Sequence, residues 1–166
     1  IPYTSGDQIS LTSSGSENPV APWFISFGEA HSIGEVSLTP INLDGGSGNL
    51  SFNLPTDVIL KNLSVSITTT DTADFGEEEF RIYAQIYVAA DNSNQFFPVN
   101  QSLIELTPVL TGVVTSGTII RGSVDNIDVP IPRHYKVLFV VYPTTTSEGE
   151  LGIHGVVNGG LTLQLN

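Results

Sequence analysis

The feature that most constrains this chain is the strict alternation of apolar and polar side chains along its best-defined segments. In Leu63–Thr69, Leu, Val and Ile alternate with Ser and Thr, and Phe80–Ala89 repeats the pattern over a longer run. Successive side chains of a strand point to opposite faces, so a period of two predicts strands that bury one face. Residues that favour helices are scarce, whereas Val, Ile, Thr, Phe and Tyr dominate.

Two further segments refine this interpretation. Tyr135–Tyr142 is almost continuously apolar, which predicts a strand covered on both faces. Near the C-terminus, Asn158-Gly159-Gly160 separates two apolar segments, which predicts a hairpin because Asn-Gly favours type I′ turns. The segments on either side of that turn are Leu151–Val157 and Leu161–Leu165. Weaker strand signals lie at Trp23–Phe27, Ile33–Leu38, Leu50–Leu54, Leu103–Leu106, Thr118–Ser123 and Ile127–Val129.

About ten short strands with no βαβ spacing predict an all-β, antiparallel sandwich or barrel. A length of 166 residues fits one domain, spanning residues 1–166. The stretch 1–22 is rich in Ser, Gly and Pro, so we expect an irregular lead-in there. We expect the acidic segment Asp71–Glu79 to be an exposed loop that folding does not need.

The charge balance excludes several partners. The chain has 17 acidic residues against 5 basic ones, a net charge of −12. Binding to phosphates or to anionic lipid needs clustered Lys and Arg, so neither nucleic acid nor an anionic membrane surface is an expected partner. No segment approaches the roughly 20 apolar residues of a membrane helix, so we expect no membrane insertion.

No catalytic, cofactor-binding or metal-binding constellation is predicted, and we expect a chain that is not an enzyme. The only histidines are His31, His134 and His154, which have no partner at metal-ligand spacing. There is no Cys for a thiolate site, and no nucleophile-elbow motif occurs. The carboxylates of Asp71–Glu79 form a crowded group of the kind that binds calcium. A solvated loop remains the favoured interpretation.

Five stretches, in this order and spacing, carry a resemblance over nearly the whole chain. They are Ile1–Gly6, Leu50–Pro55, Tyr83–Tyr87, Leu106–Gly112 and Gly155–Gly160. The chain resembles the BclB-type C-terminal domain of collagen-like exosporium glycoproteins of spore-forming bacteria. The resemblance implies a trimeric jelly-roll head, similar to complement- and tumour-necrosis-factor-type domains, attached to an upstream Gly-X-Y stalk. It also implies an extracellular location, on the bacterial spore surface (exosporium) or on the cell surface, and no catalytic residues.

These features suggest a non-catalytic trimerisation and display head, because a collagen stalk needs three chains brought into register. Two alternatives remain. One is a carbohydrate- or receptor-binding adhesin module, with a host or environmental surface molecule as its ligand. It would need an exposed aromatic platform, for which Trp23, Phe96 and Phe97 are the candidates. The other is a viral or phage fibre head.

We expect a homotrimer whose interface uses the outward face of the strand Phe80–Ala89. Alternation places Tyr83, Gln85 and Tyr87 on that face. Tyrosines exposed on an outward face are costly to leave in water, and aromatic residues are enriched at interfaces. The further interface candidates are Tyr135 and Phe139 on the doubly apolar strand and Leu163 near the C-terminus.

Overall fold

The computed structural model describes residues 1–13, 15, 20–46 and 49–166. Within them lie sixteen β-strands and one short 3-10 helix at Asn100–Ser102. In chain order the strands are β1 (Pro2–Thr4), β2 (Ile9–Ser13), β3 (Trp23–Ile25), β4 (Ala30–Ser32), β5 (Ile41–Asn42), β6 (Phe52–Asn53), β7 (Val58–Thr69), β8 (Ala73–Asp74), β9 (Phe80–Ala89), β10 (Gln95–Pro98), β11 (Ile104–Glu105), β12 (Val113–Val114), β13 (Ile119–Val124), β14 (Val129–Ile131), β15 (Lys136–Thr145) and β16 (Leu151–Leu165).

The strands form two large antiparallel sheets. In sheet 1, β16 pairs with β1 and β2 along one edge and with β7 along the other, and β7 then pairs with β13 and β14. In sheet 2, β15 pairs with β3 and β6 on one side and with β9 on the other. Beyond these lie β4 next to β3, and β10 and β11 next to β9. A small separate pair joins β8 and β12.

The path of the chain through these sheets is that of a jelly roll. Its main strands run β2, β7, β13 and β16 in sheet 1, and β3, β9, β11 and β15 in sheet 2. Consecutive main strands lie in different sheets, except β9 and β11, which both belong to sheet 2. Within the sheets, the main strands lie side by side in the orders β2-β16-β7-β13 and β3-β15-β9-β11. Two four-stranded sheets wound in this way are an eight-stranded jelly roll. The predicted fold class, an all-β antiparallel jelly-roll sandwich, is confirmed.

The main core fills the space between the sheets and follows the predicted alternation. The apolar side chains of β7, including Leu63, Val65 and Ile67, meet those of β9, such as Ile82 and Ile86, and all are buried. Burying each such side chain contributes about 1.5–3 kcal/mol. The period of two in the sequence thus fixes which face of each central strand is inside.

A second core covers the outer face of sheet 2. On β15, Val137 and Phe139 point into the main core, whereas Leu138 and Val140 point outward, and all are fully buried. The prediction that this strand is covered on both faces is confirmed. The outer cover comes from the same chain. The residues that supply it are Val20, Leu38, Ile41, Leu43 and Phe96.

The predicted C-terminal hairpin is wrong, because β16 runs unbroken from Leu151 to Leu165. Asn158, Gly159 and Gly160 pair with β7 on one side and with β1 on the other. A Cβ added to Gly159 would lie 2.9 Å from the carbonyl oxygen of Ser64. This glycine therefore allows close packing inside the sheet and does not form a turn.

The expected irregular lead-in is wrong for residues 1–13, which form β1 and β2 on the edge of sheet 1. Tyr3, Ile9 and Leu11 are buried, while Thr4 and Ser10 stay half-exposed. Residues 14 and 16–19 of this stretch lie outside the described residues. The strand expected at Ile33–Leu38 is also wrong, since only an isolated bridge between Val20 and Val36 forms there.

Candidate interaction surfaces

The outward face of β9 does not offer the interface that alternation suggested. Gln85 is 5% exposed and Tyr87 1% exposed, both within a single chain. The Gln85 side-chain amide donates a hydrogen bond to the carbonyl oxygen of Val99, 3.3 Å away. Tyr87 is part of the second core, where burial raises its pKa. The side chains do point outward as predicted, but other segments of the same chain cover them, so neither provides surface to a neighbouring subunit.

Tyr83 belongs to the same outward face of β9 and stays half-exposed. Its ring stacks on that of Tyr142 on β15, with centroids 5.3 Å apart and planes 21° apart. Burial, together with the neighbouring Tyr83, raises the pKa of Tyr142 to about 12. Next to this pair, Arg81 forms ion pairs with Glu79 and Glu105. The tyrosine pair is thus accessible but already has its cross-strand partner.

The other interface candidates also divide into buried and partly accessible residues. Phe139 is fully buried in the main core, where its ring centroid lies 4.7 Å from that of Tyr3. It cannot contact a second subunit in this fold. Tyr135 and Leu163 are half-buried at the margin of the main core. Of the six predicted interface residues, Tyr83, Tyr135 and Leu163 therefore keep accessible surface.

The aromatic platform proposed for an adhesin does not assemble. Phe96 is 0% exposed and belongs to the second core, whereas its neighbour Phe97 is 53% exposed. Trp23 is half-buried, and its indole N–H donates a hydrogen bond to the carbonyl oxygen of Ser10 at 2.7 Å. The three aromatic side chains have different roles and share no surface.

A different aromatic cluster closes one lateral edge of the sandwich. The exposed ring of Phe27, between β3 and β4, stacks on Tyr3 at 5.7 Å and lies 5.9 Å from Phe52. The hydroxyl of Tyr3 is buried and has no hydrogen-bond partner among the described residues. Sequence reasoning missed this cluster because its members belong to short segments with no alternation around them.

The acidic segment Asp71–Glu79 is anchored at two points. Phe75 is buried and its ring lies 4.9 Å from that of Phe80. At the start of the segment, a carboxylate oxygen of Asp71 lies 2.7 Å from Nδ1 of His154 on β16, and the His154 amide donates to the other oxygen at 3.0 Å. Burial raises the pKa of Asp71, but the hydrogen bonds and charge of His154 outweigh it and hold that pKa below its ordinary value.

The remaining histidines do not join this pair: His31 lies on β4 and His134 in the turn before β15. In the described part of the chain, no group of three or more His, Asp or Glu side chains is arranged to hold a metal ion. The carboxylates of the acidic segment are therefore not arranged as such a group in the described residues, and this arrangement does not support calcium binding there.

The outer face of sheet 1, which we call the bare face, differs from all of these surfaces. Apart from Arg121, its central rows consist of Ser, Asn and Gly, and these residues are exposed or half-exposed. One row joins Arg121, Ser66 and Asn158 across β13, β7 and β16, and the next joins Ser123, Ser64 and Gly160. A hollow of about 340 Å³ opens between β7 and β13, lined by Ser64, Ser66 and Arg121 among others. Arg121 has no ion pair within the described residues.

Comparison with known proteins gives one sequence relative. Over 98% of its length the chain is 23% identical to Collagen-like protein 1 of Acanthamoeba polyphaga mimivirus, and it spans only 18% of that protein. No protein-family model matches the chain. The whole-length similarity supports a relationship to collagen-like proteins.

Among solved structures, the chain is similar to chains of infectious bursal disease virus. For the Gt strain the TM-score is 0.45, with 11% identity over 100% of this chain and 32% of that chain. For the Gx strain the TM-score is 0.37, with 9% identity over 96% of this chain and 31% of that chain. In the described residues, no helix is long and apolar enough to cross a membrane.

Proposed function

We propose that this chain is the non-catalytic head of a collagen-like surface protein, joined to a collagen-like stalk. The observation that carries the proposal is the similarity to a collagen-like protein over 98% of the chain. Because the chain spans 18% of that relative, a head attached to a longer fibre accounts for both numbers. The jelly roll supplies a compact unit with an acidic, polar exterior suited to display.

We further propose that the head is a homotrimer. A collagen triple helix needs three chains in register, and a trimeric head would bring them together. The bare face of sheet 1 is the contact we favour, because the second core already covers the outer face of sheet 2. Small side chains such as Ser66 and Gly160 let a neighbouring subunit approach closely. Tyr135 and Leu163, at the margin of the main core, are then candidates for contacts at its rim, whereas Tyr83 lies on the outer side of sheet 2.

The surface that carries the head follows from the resemblance, which implies the exosporium of a bacterial spore or the cell surface. A virus particle is the second candidate, because the similar collagen-like protein is from a mimivirus. A fibre with a trimeric head serves both settings through the same physical arrangement.

The stalk can be tested on the full-length protein. If the proposal is correct, the residues next to this domain contain a Gly-X-Y tract, and circular dichroism shows a triple helix that melts cooperatively. Deleting residues 1–166 should slow or abolish refolding of that triple helix after melting. A full-length protein without a Gly-X-Y tract would contradict the proposed function.

The trimer contact can be tested with one charge placed at the centre of the bare face. Ser66→Glu should bring like charges together in the assembly and dissociate it, as measured by light scattering. The control is Gln95→Glu, which adds the same charge on the exposed side of β10 and should leave the assembly intact. A trimer that persists in the Ser66→Glu variant would show that the subunit contact lies outside the bare face.

A further inference from the structure

The last part of β16 has an unpaired edge. Odd-numbered residues of β16 bond towards β1 and β2: the Val157 carbonyl accepts from the Ser5 amide at 2.9 Å, and the Leu161 amide donates to the Ile1 carbonyl at 2.8 Å. The even-numbered Asn166 bonds to the other side, at Asp57. Because the backbone groups of a strand alternate between its two sides, those of Leu163 and Leu165 point towards the β1 side. Among the described residues, no strand pairs with that side beyond Leu161.

A register shift in this region does not change that conclusion. The pairing between β16 and β7 skips Lys61, since Thr162 lies opposite Asn62 and Leu163 opposite Leu60. The extra residue therefore belongs to β7, and the carbonyl of Lys61 accepts instead from the amide of Ile127. The alternation along β16 continues undisturbed to its end.

The unpaired edge is also apolar. Leu165 is 74% exposed, Leu163 is half-buried, and Ile1 beside them is 42% exposed. Unpaired backbone groups next to apolar side chains form a template on which another extended segment pairs. A covering strand would satisfy the backbone groups and bury the leucines together.

The position of Ile1 indicates which segment covers this edge. Its amino nitrogen donates to the Leu161 carbonyl at 2.6 Å while its own carbonyl accepts from the Leu161 amide, so Ile1 already lies in the antiparallel ladder. In a longer chain the amide of Ile1 would donate the same bond. Antiparallel pairing then places the second residue before Ile1 opposite Leu163 and the fourth opposite Leu165.

We propose that the residues directly preceding Ile1 in the longer protein extend β1 along this edge and pair with Leu163 and Leu165. The inference rests on the proposed function, with the stalk upstream of Ile1 as the family resemblance implies. The connection between stalk and head is then a paired strand rather than a flexible linker. The stalk leaves the head at the end of the sandwich where β16 ends, in a direction that sheet 1 sets.

Amide hydrogen exchange tests this directly, comparing residues 1–166 with a protein that retains its native preceding residues. The amides of Leu163 and Leu165 should exchange at least about tenfold more slowly in the longer protein. The amide of Gln164 faces β7 in both proteins and should not change, which makes it the internal control. Equal exchange at Leu163 and Leu165 in the two proteins would overturn the inference.

Two proline variants of the longer protein sharpen the test. Proline at the second residue before Ile1 removes the N–H opposite Leu163 and should reduce its protection. Proline at the first residue before Ile1, whose N–H faces away from β16, should leave that protection in place. Protection that appears in residues 1–166 alone and grows with protein concentration would assign the edge to a second copy and overturn the inference. A longer protein that carries a triple helix yet shows equal exchange contradicts this inference and leaves the proposed function standing.

Discussion

The outer faces of the two sheets differ in what lies on them. On sheet 2, large side chains such as Tyr87 and Leu138 point away from the main core and are buried under a second layer that contains Phe96. On sheet 1, the corresponding positions hold small polar residues such as Ser66 and Asn158, which stay accessible. An apolar outward face therefore shows that a strand is covered without showing what covers it, and in this chain the cover is intramolecular.

The largest effect should come from the second core, where two neighbouring phenylalanines differ in burial. Phe96→Ala should lower the free energy of unfolding by about 3–5 kcal/mol, because it leaves a cavity in a packed core. Phe97→Ala removes the same atoms from an exposed side chain and should change that free energy by about 0.5 kcal/mol or less. Urea denaturation of both variants measures the difference. Equal small effects would mean that no second layer covers sheet 2.

Two neighbouring glycines on β16 allow the packing on the inner side of sheet 1 to be compared with that on the bare face. Gly159 lies against the ring of Phe139 and the Ser64 carbonyl, whereas a Cβ on Gly160 would meet nothing within 4 Å. Gly159→Ala should lower the free energy of unfolding by about 1–3 kcal/mol through overpacking. Gly160→Ala should change it by about 1 kcal/mol or less. Thermal denaturation of the two variants checks this, and similar values would argue for a turn at this position.

The pair Asp71–His154 at the rim of the bare face predicts a pH dependence. The fold holds the pKa of Asp71 below its ordinary 3.8, so the carboxylate stabilises the protein above that pH. This stabilisation is lost as the pH falls through the lowered pKa. Asp71→Asn should therefore be less stable than the wild type at pH 7, by at most about 1 kcal/mol for so exposed a pair.

At a pH well below 3.8, the melting temperatures of wild type and Asp71→Asn should converge. The control is Asp91→Asn, an exposed carboxylate with no hydrogen bond among the described residues. It should match the wild type at both pH values. A deficit of Asp71→Asn that persists unchanged in acid would show that the carboxylate charge is not what stabilises this pair.

The smallest effect is expected in the acidic loop that connects the two sheets. Glu77, Glu78 and Glu79 are exposed or half-exposed, and surface ion pairs such as that of Glu79 with Arg81 contribute little. Replacing all three with Gln should leave the melting temperature nearly unchanged, as measured by calorimetry. A sharp fall, or a strong rise of the wild-type melting temperature on adding calcium, would indicate a cation site instead.

The sequence was most informative where alternation was long. In Phe80–Ala89 the period of two predicted both the strand and its inward face, because the apolar side chains that face the main core recur at every second position. It failed at Asn158-Gly159-Gly160, where strands on both sides of β16 outweighed the turn preference of Asn-Gly. The second layer over Tyr87 was not predictable, because irregular segments without periodicity build much of it. For the same reason, the outward direction of Tyr83, Gln85 and Tyr87 was predicted, but the burial of Gln85 and Tyr87 was not.

We propose that the uncovered outer face of sheet 1 lets this domain assemble as a trimer. Sedimentation equilibrium of the wild-type domain at micromolar concentration tests it most directly. We expect a particle three times the chain mass of 17.7 kDa, and dissociation when Ser66→Glu is introduced. A wild-type particle of 17.7 kDa at that concentration would contradict it.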